Sequence, residues 1–265
     1  MLLELRIRTI LICCTMFLLR PALLVAEEPG NSQNQLVLKE GLNYFYNSDS
    51  ESANRKFDEY IALEPDDPVG YWRKALSIFL RVRSEQKTDT PKFSENQRDE
   101  LITLINQGIG GANTRIQRGD QSDFNLYVKA CLYSIKAGVE FSNVSIWAAR
   151  GSMRTAIGIA QRSQYQDAKY LIGLTNYRGA DRNIIFGLAG LPHDRDKGLN
   201  LIFEAAIQNN GTFADDIWFA VFSIETDKRN ERYYNRATVS RLFEYLFAKY
   251  PHNMILQRYL KENRK

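Results

Sequence analysis

The chain reads as an all-α protein, a right-handed superhelical stack of about five antiparallel two-helix hairpins. Three observations predict this. Gly41, Tyr44, Ala53, Phe57 and Pro65 stand at the offsets of a helix–turn–helix unit. Apolar residues then recur at helical spacing along most of the chain, as in Leu101, Leu104, Ile105, Ile109, Ala112 and Ile116. No stretch sustains the two-residue alternation with β-branched side chains that a half-buried strand shows.

In the first unit, Gly41 lets one helix lie close to its partner and Tyr44 is expected to fill the groove one turn later. Ala53 and Phe57, four apart, face back into the pair, and Pro65 ends the second helix. Counting on by 34 positions brings Tyr71 and Ala75 to the equivalent places of a second unit. Asp66 and Asp67 ahead of Pro68 supply capping carboxylates and a proline for the first turn. Residues 84–94, charged and containing Thr90-Pro91, read as a loop. Residues 124–138 and 146–161 form a further antiparallel pair, followed by a helix over 165–178. The segment NIIFGLAGLP (183–192) reads as a compact loop or a brief helical turn. Asp194 or Asp196 caps the next helix, with Leu199, Ile202, Phe203 and Ala206 on one face and Asn209-Asn210-Gly211 closing it. Val239, Leu242, Phe243, Leu246, Phe247 and Tyr250 mark the last clear helix, stopped by Pro251.

The spacing of the first unit resembles the tetratricopeptide (TPR) repeat. The later segments GLPHDRDKGLNLIFEAA, FADDIWFAVFSI and LFAKYPHN are similar to exported bacterial TPR-like proteins with degenerate C-terminal repeats. The resemblance covers most of residues 38–256 and implies the stacked-hairpin architecture with no defined reaction. The chain departs from the repeat at Glu40 and Lys74, which stand where a TPR usually has leucine.

Residues 1–26 have the layout of a secretory signal peptide: Arg6 and Arg8, an apolar run from Thr9 to Leu19, and Leu24-Val25-Ala26 before Glu27-Glu28. Arg20 breaks the apolar stretch, and the uninterrupted run is about half of the ~20 residues needed to cross a bilayer. Cleaved export to the periplasm is the expectation, with an uncleaved N-terminal anchor or a misassigned start as alternatives. Cys13 and Cys14 suggest a lipoprotein, but Ile12 precedes Cys13 where a small residue belongs. Residues 27–33 read as a polar linker with Pro29-Gly30, and 34–265 as the helical domain.

Without the first 26 residues, 239 remain, with 32 basic and 30 acidic side chains. That balance argues against a nucleic-acid role. Cys131 is then the single cysteine, so no internal disulfide can form, and its apolar neighbours make it a small buried hydrophobe. Aromatic residues at 12% and apolar residues at 44% exclude disorder and supply a sizeable core.

Signs of chemistry are sparse. His193 and His252 both follow proline at helix boundaries, with no further ligand at metal spacing, so neither metal nor cofactor is expected. No nucleophile-elbow motif occurs. Gly108-Ile109-Gly110-Gly111 follows a helix rather than a strand, which favours close helix packing or a kink over a phosphate cradle. Asp194-Arg195-Asp196-Lys197 reads as a cap with a local ion pair, or as a polar rim beside the 183–192 loop. Arg229, Arg232, Arg236 and Arg241, with Tyr233 and Tyr234, read as a solvated face or as an anionic-lipid contact. Asn143-Val144-Ser145 and Asn210-Gly211-Thr212 fit the glycosylation pattern, relevant only in a eukaryotic secretory host.

In a TPR stack the first helix of each hairpin lines a concave groove. Carrying the repeat phase across places Trp72 there, with Tyr170, Leu174, Tyr177 and Arg178 in a later unit. Aromatic and arginine side chains are favoured interface anchors. The leading expectation is a non-enzymatic scaffold that binds a protein or peptide partner in this groove, with peripheral membrane association open. A small-ligand or lipid-binding auxiliary component of an envelope transport system is the alternative, and an enzyme the third class.

Overall fold

The computed structural model describes residues 33–88, 90–143, 145–180, 187, 190–208, 213–226 and 236–263, and among them are eleven α-helices and no strand. The leader (1–26) and nearly all of the linker lie outside the described residues. So do Asn209-Asn210-Gly211, most of the 183–192 segment and the stretch from Arg229 to Tyr234. No described helix is long and apolar enough to cross a membrane.

The first hairpin is α1 (Gln33–Tyr46) and α2 (Ser50–Leu63). α1 ends in a Schellman turn: Ser48 N–H donates to the Phe45 carbonyl and Asp49 N–H to Tyr44, both at 3.0 Å. The turn holds Ser48 at φ 65°, in the left-handed region usually left to glycine. The Asp49 carboxylate accepts from Ser52 N–H and caps α2. Gly41 lies against α2 so tightly that a Cβ there would sit 2.7 Å from Phe57 Cε1. Ala53 and Phe57 are fully buried. Tyr44, expected to fill the groove, is instead 38% exposed. Tyr46 is the buried ring, and two residues of helix turn Tyr44 about 200° away from it. Glu40 and Lys74, the two departures from leucine, are stitched to α2 by ion pairs with Lys56 and Asp58.

α3 (Pro68–Glu85) begins as expected, with Pro68 in its first turn and the Asp67 carboxylate accepting from Val69 N–H. α4 (Glu95–Arg118) opens on a reciprocal capping box between Ser94 and Gln97 and closes at Gly119, φ 80°. The glycine cluster serves close packing. A Cβ on Gly108 would meet Tyr71 Cβ at 2.7 Å, and one on Gly111 would meet the Asp66 carbonyl oxygen at 2.9 Å. α5 (Ser122–Asn143) and α6 (Ile146–Ala160) form the third pair; Ser163 Oγ, just past α6, donates to the Asp123 carbonyl at the start of α5. α7 (Ala168–Ala180) starts three residues later than the sequence pattern suggests. It packs on α8 (Arg195–Gln208) through Gly173 and Gly198, and a Cβ on Gly198 would lie 2.5 Å from Tyr177 N. Asp194 caps α8 by accepting from Lys197 N–H. α9 (Ala214–Glu225), α10 (Arg236–Lys249) and α11 (Met254–Asn263) complete the chain, and Asn253 caps α11.

Each helix packs on the next wherever both are described, and α3 also touches α1 and α5. One apolar core, from Val37 to Leu256, runs through all of these pairs. The first and last described helices meet through the turns at 46–48 and 252–254. Asn253 Nδ2 donates to the Tyr46 carbonyl at 2.7 Å, His252 N–H to Asn47 Oδ1 at 3.2 Å and Met254 N–H to Ser48 Oγ at 3.1 Å. The Tyr46 ring packs against Phe219 and Tyr250, at centroid separations of 5.7 and 4.9 Å.

These contacts separate glycines that hold helices together from those that merely occupy a helix. Gly198→Ala forces two backbones apart and lowers stability by ~2 kcal/mol or more. Gly41→Leu costs ~1–3 kcal/mol by crowding Phe57. Gly110→Ala meets nothing within 4 Å and raises stability by ~0.5–1 kcal/mol through helix propensity. Thermal unfolding of the three variants checks the order; a Gly198 variant as stable as the parent refutes the α7–α8 contact.

Candidate functional site

The interior is organised around a charge. Arg73, in the first half of α3, is 0% exposed. Its two terminal nitrogens meet Asp216 of α9 as a fork, Nη1 to Oδ1 at 3.1 Å and Nη2 to Oδ2 at 2.7 Å. The guanidinium carbon lies 3.8 Å from the Trp72 ring centroid and 4.1 Å from that of Phe213, two rings that meet edge-on at 5.1 Å, so the cation sits in an aromatic corner. Tyr46 donates its hydroxyl to Asp216 Oδ1 at 2.8 Å, tying α1 to the same carboxylate. Burial alone would lower the Arg73 pKa, but Asp216 outweighs it and holds the group above its ordinary value. Burial, reinforced by Asp216, drives the Tyr46 hydroxyl well above its ordinary pKa, so it stays a neutral donor.

The adjacent carboxylate does parallel work in the other direction. Asp215 accepts from Tyr250 Oη at 2.6 Å, Lys249 Nζ at 2.6 Å and Tyr245 Oη at 3.2 Å. The Asp215-Asp216 pair in the first turn of α9, where helix dipole favours anions, therefore fastens α1 and α3 on one side and α10 on the other.

A second layer of polar groups lies beside the pair. Tyr127 packs edge-on to Trp72 (5.6 Å) and tilted to Tyr165 (5.1 Å), while Phe124 stacks on Phe213 (6.1 Å). Burial pushes the Cys131 thiol up, so it is a thiol and not a nucleophilic thiolate. Burial raises the Tyr165 hydroxyl to about 12. Asp167, at the foot of α7, is 0% exposed, and among the described residues neither of its carboxylate oxygens has a hydrogen-bond partner. Burial, with added repulsion from Asp216, lifts its pKa to about 6, while Arg73 pulls the other way. Arg73 Nε and Ser77 Oγ are likewise buried without a partner.

The residues expected to line a groove are placed differently. Trp72 is 3% exposed, its face covered by Arg73, Phe213 and Tyr127. The reason is the start of α9, where Phe213 packs on Trp72 and Asp216 holds Arg73. Tyr177 is also buried, with the Arg195 guanidinium 5.6 Å from its ring. Tyr170 and Leu174 are half-buried, and Arg178 is exposed. Of the repeat-defining set, the Pro65 carbonyl accepts the Tyr71 hydroxyl at 3.1 Å, which fixes the turn between α2 and α3.

The remaining candidates are engaged locally. His193 lines an open depression of about 500 Å³ with Asn176, Pro192, Asp194 and Lys197. Its Nδ1 bonds the Leu191 carbonyl at 2.8 Å rather than a carboxylate, and Asp194 is committed to capping. A second depression, about 510 Å³, holds Glu64, Asp66, Arg115 and Arg118, whose charges are mutually paired. No group of three His, Cys, Asp or Glu side chains among the described residues could hold a metal ion. Sequence reading overlooked Arg73, Asp215, Asp216 and Asp167. The available signal was an arginine next to Trp72 inside an apolar run, and an acidic pair opening the helix of FADDIWF.

Two outcomes follow for the interior. Asp216→Leu leaves the Arg73 guanidinium buried without its counter-ion and costs ~3–5 kcal/mol, whereas adding Arg73→Met recovers much of that loss. Denaturant unfolding of the single and double variants decides it. Asp167 has its folded pKa raised from 3.8 to about 6, so the folded state binds the proton more tightly than the unfolded chain. Its contribution to stability is therefore greatest below about pH 4 and is lost as pH rises through about 6. Asp167→Asn then stabilises the fold by ~1–2 kcal/mol at pH 8 and not at pH 4. Equal unfolding midpoints for variant and parent at pH 8 rule that out.

No family model, no curated protein and no solved structure matches this chain.

Proposed function

We propose that the protein is a non-enzymatic interaction scaffold of the periplasm or an equivalent exported compartment, a TPR-like superhelical succession of hairpins that receives a protein or peptide partner on its outer surface. The inner face is closed by the chain's own α9, which turns partner contact outward. The observation that carries the reading is a group of exposed apolar side chains. Tyr44 of α1 and Met254 and Ile255 of α11 are 38–50% exposed, on the first and last described helices, which Ser48 and Met254 join. Residues 33–67 carry eight acidic side chains against three basic. Seven of these eight are in ion pairs within the protein, so the apolar side chains are what the region offers a partner. Arg178 and the half-buried Leu174 and Tyr170 form a second contact region in this reading.

Asp167 favours a second reading, a small-ligand-binding auxiliary component of an envelope transport system. A buried carboxylate with two unpartnered oxygens suits a small polar guest. Native mass spectrometry of the purified protein separates the two, because a co-purified small molecule belongs only to the second.

The test of the scaffold reading is a crosslinking pull-down from the native envelope fraction. Tyr44→Ser with Met254→Ser and Ile255→Ser lowers capture about tenfold while stability changes by less than about 1 kcal/mol. Arg178→Ala weakens capture less. Undiminished capture by the triple variant removes the junction from the partner surface.

A further inference from the structure

A different face carries chemistry that the partner surface does not use. Between Phe141 and Gln166 the sequence holds no aspartate or glutamate, and its charged residues are Arg150, Arg154 and Arg162. This stretch contains α6. Its outward side is a ridge of Trp147, Gly151, Arg154, Thr155 and Gly158, continued by Arg162 just past the helix, while Ala149, Ala156, Ile157 and Ile159 face the core. Trp147 is 65% exposed, the most exposed of the large apolar residues among those described, and Ile146 beside it is 39% exposed. The Arg150 guanidinium lies 5.5 Å from the Trp147 ring. A Cβ on Gly151 or Gly158 would meet nothing within 4 Å, so among the described residues nothing covers the helix at these two points.

We propose that the outward ridge of α6 docks on an anionic phospholipid surface, with Trp147 and Ile146 at the acyl boundary and Arg154 and Arg162 against headgroup phosphates. An indole with one apolar and one polar edge is at home at a membrane–water interface. Arginine stems lie along apolar surface while their heads reach anions. The ridge spans ~22 Å from Trp147 to Arg162, enough for the helix to lie flat on headgroups. A protein partner would find no recess here between Gly151, Thr155 and Gly158, whereas a fluid interface conforms to a ridge. The Cβ position of Gly190 lies 2.9 Å from Arg154 Nη2, and Asp194 is committed to capping α8.

The experiment uses the full chain with phosphatidylcholine vesicles, with and without phosphatidylglycerol, carrying brominated acyl chains that quench tryptophan. Trp72 is sealed in the core, which leaves Trp147 as the most accessible reporter. The proposal expects quenching on anionic vesicles, little on neutral ones, and its loss in Trp147→Phe. Arg154→Gln with Arg162→Gln weakens binding to anionic vesicles ~30-fold, and raising the salt concentration weakens the parent in the same direction. Quenching that survives in Trp147→Phe means the chain meets vesicles through residues 1–26 or another face, and overturns the proposal. So does equal binding to neutral vesicles, or binding to polyglutamate with none to vesicles. None of these outcomes bears on the apolar junction at Tyr44 and Met254.

Discussion

The forked pair between Arg73 and Asp216 is the constraint on which the rest of the architecture depends. The two residues are far apart along the chain, and between them lie five of the eleven described helices. A guanidinium removed from water loses several kcal/mol of solvation, and even a well-made pair only roughly offsets that loss. The cost is met here by geometry: both terminal nitrogens bonded, two aromatic rings against the cation, and a tyrosine hydroxyl on the carboxylate. What such a pair supplies is selectivity among arrangements rather than raw stability. A slip of α9 by one residue would either put Ile217 in place of Asp216 and leave Arg73 buried and unpaired, or put Asp215 there and take that carboxylate from Lys249 and Tyr250. Closure therefore has one register.

That register explains why Trp72 is covered by the chain itself. Tyr46 of α1, Trp72 and Arg73 of α3, Tyr127 of α5 and Phe213 with Asp216 at the start of α9 come together in the interior. Aromatic residues prefer tilted, edge-on or offset contacts at about 5–6 Å; Trp72 finds them in Tyr127 and Phe213, and Tyr46 in Phe219 and Tyr250. Side chains that would anchor a guest are instead satisfied by one another. The first and last described helices are then held by short polar contacts to backbone and side-chain atoms of the Tyr46–Ser48 turn, which need little area because the ion pair has already set the approach.

Much of the helical content was legible because it rests on local periodicity. Ala53 and Phe57, the capping carboxylate of Asp67, the packing role of Gly108 and the stop at Pro251 follow from spacing and from residue chemistry within one turn. Two helix ends were not legible. Ser48 and Lys87 take the left-handed position where glycine is the usual signal, and only Gly119 announced itself. Trp72 was misread for a deeper reason. Its own repeat phase pointed it inward, but whether the inner side is open depends on a partner 141 residues away at Phe213. Asp215 and Asp216 look like ordinary first-turn acids, and their reach to Lys249, Tyr250, Tyr46 and Arg73 exists only after folding.

Closure also fixes where charge lies on the surface. Seven of the eight acidic side chains of residues 33–67 are in ion pairs with Arg55, Lys56, Lys74, Arg115 or Arg118, and Asp49 is committed to capping. The arginines of α6, by contrast, stand in a stretch of sequence without any acidic residue. The ridge is held at a fixed distance from the first hairpin by α3, α4 and α5, each packed on the next, so it cannot turn without breaking the core. The buried Arg73–Asp216 pair, which ties α1 and α3 to α9 from within, makes that placement rigid.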